Sequence, residues 1–590
     1  MTRALLMLPV LALLCLARPV EAAPPKAVVY TPIVPRAAEE KRTITLTGHD
    51  LSIDDVIAVA RYGAKVRFLP EAMKMPETRL GLVEQGNAEG VAIYGRNRGG
   101  GALRQVKRAE PVGSEDPSVW ARMGALPEID EEELVRAFLV IQANHLPYGS
   151  ASADYMQAVC ELLNRRVTPV MYSRGTIGEG DLFLTSNYNA TLMGAGYAYF
   201  RGQRMTAAAA LAAAGLKPYK SRPYGILITT NAYTTAIALE LVDEGREALE
   251  WSDAALAIDL LGMNSSVTPL TPPSQARRPF PWVNWEAAKM LDLLRGSYLF
   301  EDDATRILQD PESLRAAHIR LGSAWEAWNT LRQSVLLEMN SGENNPGVFP
   351  DVKPGDHWSL ATPWLMRQHI AGGALSGGHS GYILSNANWD AYPMVNDIEA
   401  FNLAFGNMAV TVAQRIERFS DRGPTAFFTG IKPADVLSPE QIARTPSLSE
   451  PYFTYLDVWK EIQTLSQSVV PDSNGSDFGV ADIEGVGRLK AARGRQAVDL
   501  YFQLLSYDLL AGTYWLDVRK AQDHTRNFGP AATAAWTALR EVVPWQMDVA
   551  SRPPVPYGVI VYNFMKAHPA SDFLGSTLPM PPSPPLAVAR

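Results

Sequence analysis

Four short segments carry residue types that can do chemistry. The first is AIYGRNRGGG, where Tyr94 stands beside Gly95, Arg96, Asn97 and Arg98 and three glycines follow. Glycines let a backbone fold closely over a ligand, and a tyrosine set among cations is a usable proton acceptor. Alone, the same pattern also fits an ordinary turn. The second is RGTIGEGDL, with Gly175, Gly178 and Gly180 around Glu179 and before Asp181. It reads as a tight turn entering a helix. The third is QDPESLR, residues 309–315, in which the planar fork of Arg315 suits a carboxylate and Glu312 adds an acid. A surface ion pair is the plainer alternative. The fourth is EMNSGENNPGVFPD, residues 338–351, whose Asn340, Asn344 and Asn345 are poor helix formers at the end of a helical pattern, placed to cap it or to line a pocket.

The elements that must position these segments are mainly helices. Ser52 precedes IDDVIAVA as a helix cap, with Asp55 where a capping box wants an acid. Ile398, Phe401, Phe405, Met408, Val412, Ile416 and Phe419 recur at steps of three and four, a single apolar stripe; Arg415, Glu417 and Arg418 fall off it and are expected in solvent. Leu321, Trp325, Trp328, Leu331, Val335 and Leu336 repeat the pattern, as do Val498, Tyr501, Leu505, Leu509 and Tyr514. Long amphipathic helices bury their stripes against each other, which predicts a bundle over 241–550. Residues 43–240 are more mixed, with β-type runs (TITLTG, KVRFL, GVAIYG) and a glycine-rich loop. Residues 23–42 are a Pro-rich lead-in and 551–590 a Pro-rich tail.

Composition narrows the function classes. The 590 residues are 47% hydrophobic and 20% charged, and the net charge is −8. An acidic chain with no basic block is not built for nucleic acid. Of two cysteines, Cys15 lies in the N-terminal apolar run, so Cys160 is left alone; the eight histidines form no HxxxH or HExxH pair, and no metal site is expected. Arg3, the run ALLMLPVLALLCLA and Val20-Glu21-Ala22 read as a secretory signal over 1–22, too short and interrupted to anchor. The mature chain is expected to be exported, periplasmic or secreted, with no membrane attachment.

In this order the segments resemble the histidine and phenylalanine ammonia-lyase superfamily over about residues 43–550. IYGRNRGGG is similar to its YGxNTGFG loop, TPVMYSRGTIGEGDL to the stretch ending GSVGASGDL, RRPFP to RPHP, QDPESLR to QDPYSLR, EMNSGENNP to ExNSxxDNP, and NWDAYPM to NFHGQPV at the start of a long central helix. The resemblance implies a mainly α-helical long-helix bundle of the ammonia-lyase type with a smaller mixed N-terminal segment, assembled as a homotetramer whose active sites draw on three subunits. It implies elimination of an amine from an aromatic amino acid by an electrophilic methylidene-imidazolone made from an internal Ala-Ser-Gly. Tyr94 matches the loop base, Arg315 the carboxylate clamp, Asn345 the active-site asparagine and Trp389 the aromatic ring beside the electrophile.

The departures fall where the chemistry is. The family's Ala-Ser-Gly stretch is Gly178-Glu179-Gly180 here, with no serine to dehydrate, and Thr176 is followed by Ile177. Glu312 replaces the family's second tyrosine, Phe280 the histidine of RPHP, Thr230-Asn231-Ala232 the NGT segment, and Asp482 or Glu484 the acids of NQED. The prosthetic group is therefore expected to be absent, and no other cofactor is expected. Without it, elimination needs a better leaving group, which a trimethylammonium betaine supplies. The expectation is an ergothionase-like carbon–nitrogen lyase for a small amino-acid-like substrate, with Tyr94, Glu179 and Glu312 catalytic and Arg315, Asn345, Trp389, Asn231 and Asp482 binding. A non-catalytic relic that binds such a ligand, and an aminomutase-type isomerase, are the alternatives.

Overall fold

A computed structural model describes residues 29–109, 116–178, 180–220, 229–419, 429–445, 452–469, 473–575 and 578–582. The expected signal region and Glu179 lie outside these residues. The mixed segment opens with strands β1 (Thr43–Leu46) and β2 (Lys65–Phe68), a parallel pair in register Thr43↔Lys65 to Leu46↔Phe68. Helix α1 (Ile53–Ala60) crosses between them, and Ser52 caps it by accepting from the Asp55 amide at 3.1 Å. Helices α2 (Pro70–Ala88), α3 (Glu132–His145) and α4 (Leu182–Leu192) complete this part. GVAIYG, expected as a strand, is instead the turn that leaves α2. Its apolar residue Ile93 packs on a small cluster with Val348, Ile370 and Ile383 rather than in a ladder.

The bundle is built from α5 (Ala232–Met263), α6 (Ala317–Met339), α7 (Tyr392–Phe419) and α8 (Gly487–Gln522). Each packs on two neighbours in the cyclic order α5, α6, α7, α8. The apolar stripes close the interior: Phe401, Phe405, Trp325, Leu331, Tyr501 and Leu505 are all buried. A helix of 32 residues such as α5 is roughly 48 Å long at 1.5 Å per residue, so the two ends of the bundle are distinct places. Helices α5, α7 and α8 begin at one end, where α6 finishes.

Three expectations change. Arg415 is not in solvent; its side chain is 3% exposed, paired with Asp259 of α5 and, at 2.5 Å, with Asp508 of α8. The sequence pattern marks one apolar face of α7, but neighbouring helices enclose the other faces too. The boundary at 240 falls inside α5, which Arg61 ties to the mixed segment through Glu240 at 3.3 Å and Asp243 at 2.8 Å. Within the expected tail, α9 (Tyr557–Ala567) forms and buries Val561, Phe564 and Met565. Its prolines flank the helix at 553, 554 and 556 rather than interrupting it. Among the described residues no helix is long and apolar enough to cross a membrane.

Candidate functional site

The glycine-flanked turn sits at the end where α5 and α8 begin. Asp181, fully buried with φ +29°, caps α5 from outside that helix. Its Oδ2 accepts from the amides of Tyr233 at 3.1 Å and Thr234 at 2.9 Å, and Oδ1 from the hydroxyls of Thr176 at 2.6 Å and Thr234 at 3.2 Å. A helix start favours an anion. Burial nevertheless pushes the Asp181 carboxyl up to about 6, against the pull of the Thr176 hydroxyl and the Thr234 amide. Gly178 has φ +91°, and a Cβ there would stand 2.6 Å from the Gly487 nitrogen, so only glycine fits. The turn thus lies directly on the first residue of α8.

Asn231 holds the other side of the turn: its Oδ1 accepts from the Gly180 amide at 2.9 Å, and the Thr230 amide donates to the Gly180 carbonyl at 3.3 Å. Behind Asn231 stands Glu343. It accepts from the Thr230 hydroxyl and from the Asn231 amide, each at 2.7 Å, and is ion-paired with His145 at the end of α3. Glu343, His145 and Thr229 have no place in the motif reading. Glu343 lies inside EMNSGENNP, a segment dominated by its asparagines; His145 is a lone histidine on an apolar helix; Thr229 carries no pattern.

Asn345 is adjacent. Its amide donates to Thr229 Oγ1 at 3.2 Å, and its Oδ1 accepts from Ser385 Oγ at 3.2 Å and the Asn386 amide at 3.1 Å. The Trp389 indole nitrogen donates to the Asn386 carbonyl at 3.0 Å, so Asn345 and Trp389 share one loop anchor. Asn340, in contrast, is structural: it ends α6 and bonds both backbone groups of Leu51. The Tyr94 turn packs through Ile93 on Val348, three residues beyond Asn345, and the Tyr94 hydroxyl oxygen accepts from the Gly101 amide at 2.9 Å. A strap over 473–483 folds across this loop, with Asp477 Oδ2 accepting from the Ala102 amide at 2.9 Å. Asp482 is exposed on that strap.

Glu312 and Arg315 lie elsewhere in the same chain. They precede α6, whereas Asn340 closes it; 23 helical residues put them roughly 35 Å from Asn345. Arg315 Nη2 is 3.3 Å from Glu312 Oε1, with Glu312 82% exposed. Arg315, His318, Arg278 and Phe280 line a cleft of about 350 Å³. One chain therefore gathers Asn231, Asn345, Trp389 and Tyr94 at one end of the bundle and Glu312 and Arg315 at the other. Among the described residues no group of histidine, cysteine and acidic side chains is arranged to hold a metal ion.

A bundle of long helices whose starts converge on a glycine-flanked turn, with a tyrosine loop beside it, defines the ammonia-lyase class of fold. The chain belongs to the aromatic amino acid lyase family, whose model matches residues 51–541. It is 26% identical over 527 residues to a histidine ammonia-lyase of Stigmatella aurantiaca, covering 85% of this chain and 92% of that one. A histidine ammonia-lyase of Sorangium cellulosum is 27% identical over 523 residues, covering 85% and 93%. Among solved structures, the ergothioneine-degrading ergothionase of Treponema denticola has a TM-score of 0.75 at 23% identity, covering 89% of this chain and 99% of that one. A tyrosine aminomutase of Streptomyces globisporus has a TM-score of 0.73 at 20% identity, covering 90% and 98%.

Proposed function

We propose that this protein is a carbon–nitrogen lyase that expels a preformed leaving amine from an aromatic amino-acid-like substrate without a methylidene-imidazolone. The observation that carries the reading is the turn itself. Within 176–181 the only hydroxyl belongs to Thr176, and it is committed to Asp181 at 2.6 Å while accepting from the Gly178 amide at 3.1 Å. The residues present do not fit the internal Ala-Ser-Gly from which the group is made.

In this reading Tyr94 takes the β-proton. The C–H electrons form the Cα=Cβ bond, and the C–N electrons leave with the amine. A trimethylammonium group departs as neutral trimethylamine and needs no proton on the way out, so a betaine such as ergothioneine suits the site. The ergothionase likeness supports this choice at the level of fold. Arg315 holds the carboxylate; Asn345, Asn231 and Trp389 contact the substrate; and Glu179, Glu312 and Asp482 supply negative charge for the cation, with the Trp389 ring as a cation–π face. Because Arg315 and Tyr94 stand at opposite ends of one bundle, the site is completed by neighbouring subunits, as in a homotetramer. Export through residues 1–22 places the reaction outside the cytoplasm.

The test is to offer purified protein histidine, phenylalanine, tyrosine, hercynine and ergothioneine, reading conjugated-acid absorbance together with ammonia and trimethylamine. Trimethylamine release from a betaine supports the reading. Ammonia release with borohydride inactivation, or an intact mass short by two waters, overturns it. Binding by calorimetry with no turnover of any substrate points to the relic instead, a reading favoured by Glu312 in place of the second tyrosine.

A further inference from the structure

Both ring nitrogens of His145 meet oxygens that can only accept. Nε2 lies 2.8 Å from the Glu338 carbonyl, and Nδ1 meets Glu343 Oε1 in an ion pair too close and too oblique for an aligned hydrogen bond. A neutral imidazole has a single N–H and cannot serve two acceptors. The ring is fully enclosed. Burial alone would push its pKa down, but the Glu343 carboxylate and the Glu338 carbonyl outweigh burial and carry it up. The acids that face it are Glu343 and Glu338, with Asp390 beyond Glu338 and Asp181 beyond Glu343. Glu338 is pushed up to about 8, by burial first and then by Glu343, and keeps its proton at neutral pH.

Glu343 is engaged on both of its oxygens. One carboxylate holds the Thr230 hydroxyl, the Asn231 amide and the His145 ring, and it is 2% exposed. Asn231 passes this on, since its side-chain oxygen takes the Gly180 amide. Two residues past Glu343, the Asn345 amide donates to Thr229 Oγ1. The pair thus joins three segments that are distant in sequence: the end of α3, the entry to α5 and the exit of α6.

We propose that the buried His145–Glu343 pair is a positioning unit that sets Thr230 and Asn231, and through Asn231 the Gly180 backbone of the turn facing the substrate. Neither side chain reaches substrate. The unit acts by fixing where the turn and Asn345 stand relative to each other, and its catalytic consequence rests on the lyase reading above.

The decisive variants are Glu343→Gln, His145→Asn and the double variant, read by turnover of the active substrate and by backbone hydrogen exchange. Glu343→Gln is expected to lower kcat at least tenfold with KM held within threefold. It should also raise exchange at least tenfold over 176–182 and 229–235 while leaving 398–419 unchanged. The double variant should lose no more than the worse single variant. Unchanged exchange at the turn in a folded Glu343→Gln protein, or losses that add in full, overturn the proposal. If the variants do not fold, the wild-type protein decides. At one pH, the Asn231 amide held by Glu343 and the Gly180 amide held by Asn231 should exchange within tenfold of the core of α5 over 236–242; exchange near the intrinsic rate overturns it. If no substrate turns over, the lyase reading fails while the exchange arms still judge the pair.

Discussion

Asp181 binds its proton more tightly than an ordinary aspartate, because it is wholly enclosed although four donors point at it. Its folded pKa of about 6 lies above the ordinary 3.8, so its contribution to stability is fully present below about pH 4 and is lost as pH rises through 6. The shift corresponds to about 3 kcal/mol. Asp181→Asn should therefore gain stability relative to wild type between pH 4 and 6 and hold a constant offset above that, as followed by urea unfolding across pH. Tyr94 is tested differently: its oxygen accepts from the Gly101 amide, and Tyr94→Phe removes the hydroxyl proposed as the base while keeping the ring. The expected loss is about 10²–10⁴ in kcat, the usual share of general acid–base catalysis. Steady-state rates on the active substrate check it, and an unchanged rate removes Tyr94 from the base role.

The loop and strap around Tyr94 form one device at the scale of elements. Gly101 has φ +51°, and a Cβ there would stand 1.3 Å from Asp477 Oδ2. Gly101→Ala should therefore push the strap off the loop. Limited proteolysis should then cut within 95–110 several times faster, while the melting temperature of the bundle barely moves. In the bundle itself Arg415 bridges Asp259 and Asp508. Burial, and the neighbouring Asp508, push the Asp259 carboxyl well above the usual carboxylate range, and Arg415 pulls against both. Arg415→Met strands both carboxyls in the core and should cost about 3–5 kcal/mol, as breaking a buried pair usually does. Chemical denaturation measures it.

For the whole molecule the governing fact is the separation of Arg315 from Asn345, roughly 35 Å along α6. A site that needs both Tyr94 and Arg315 must draw them from different chains. Tyr94→Phe and Arg315→Ala proteins, each inactive alone, should regain activity when co-expressed, since some mixed assemblies then contain a site with both wild-type groups. Purified mixed oligomers, assayed beside each parent, give the answer. No recovery in oligomers shown to be mixed would place both residues in a single chain's site.

The helical periodicity, the serine cap of α1 and the ordered motifs made the fold legible in the chain alone, because apolar spacing and capping are local properties. The missing serine at 178–180 is likewise written there. Tertiary structure decided what locality cannot express. Arg415 reads as a surface residue until α5 and α8 bring Asp259 and Asp508 to it. GVAIYG has strand-forming residues but lacks a partner strand, and it becomes a turn. His145 and Glu343, 198 positions apart, carry no motif, yet packing makes them an ion pair behind the turn. Burial and long-range pairing set the charges at this end of the bundle, and both exist only once the chain has folded.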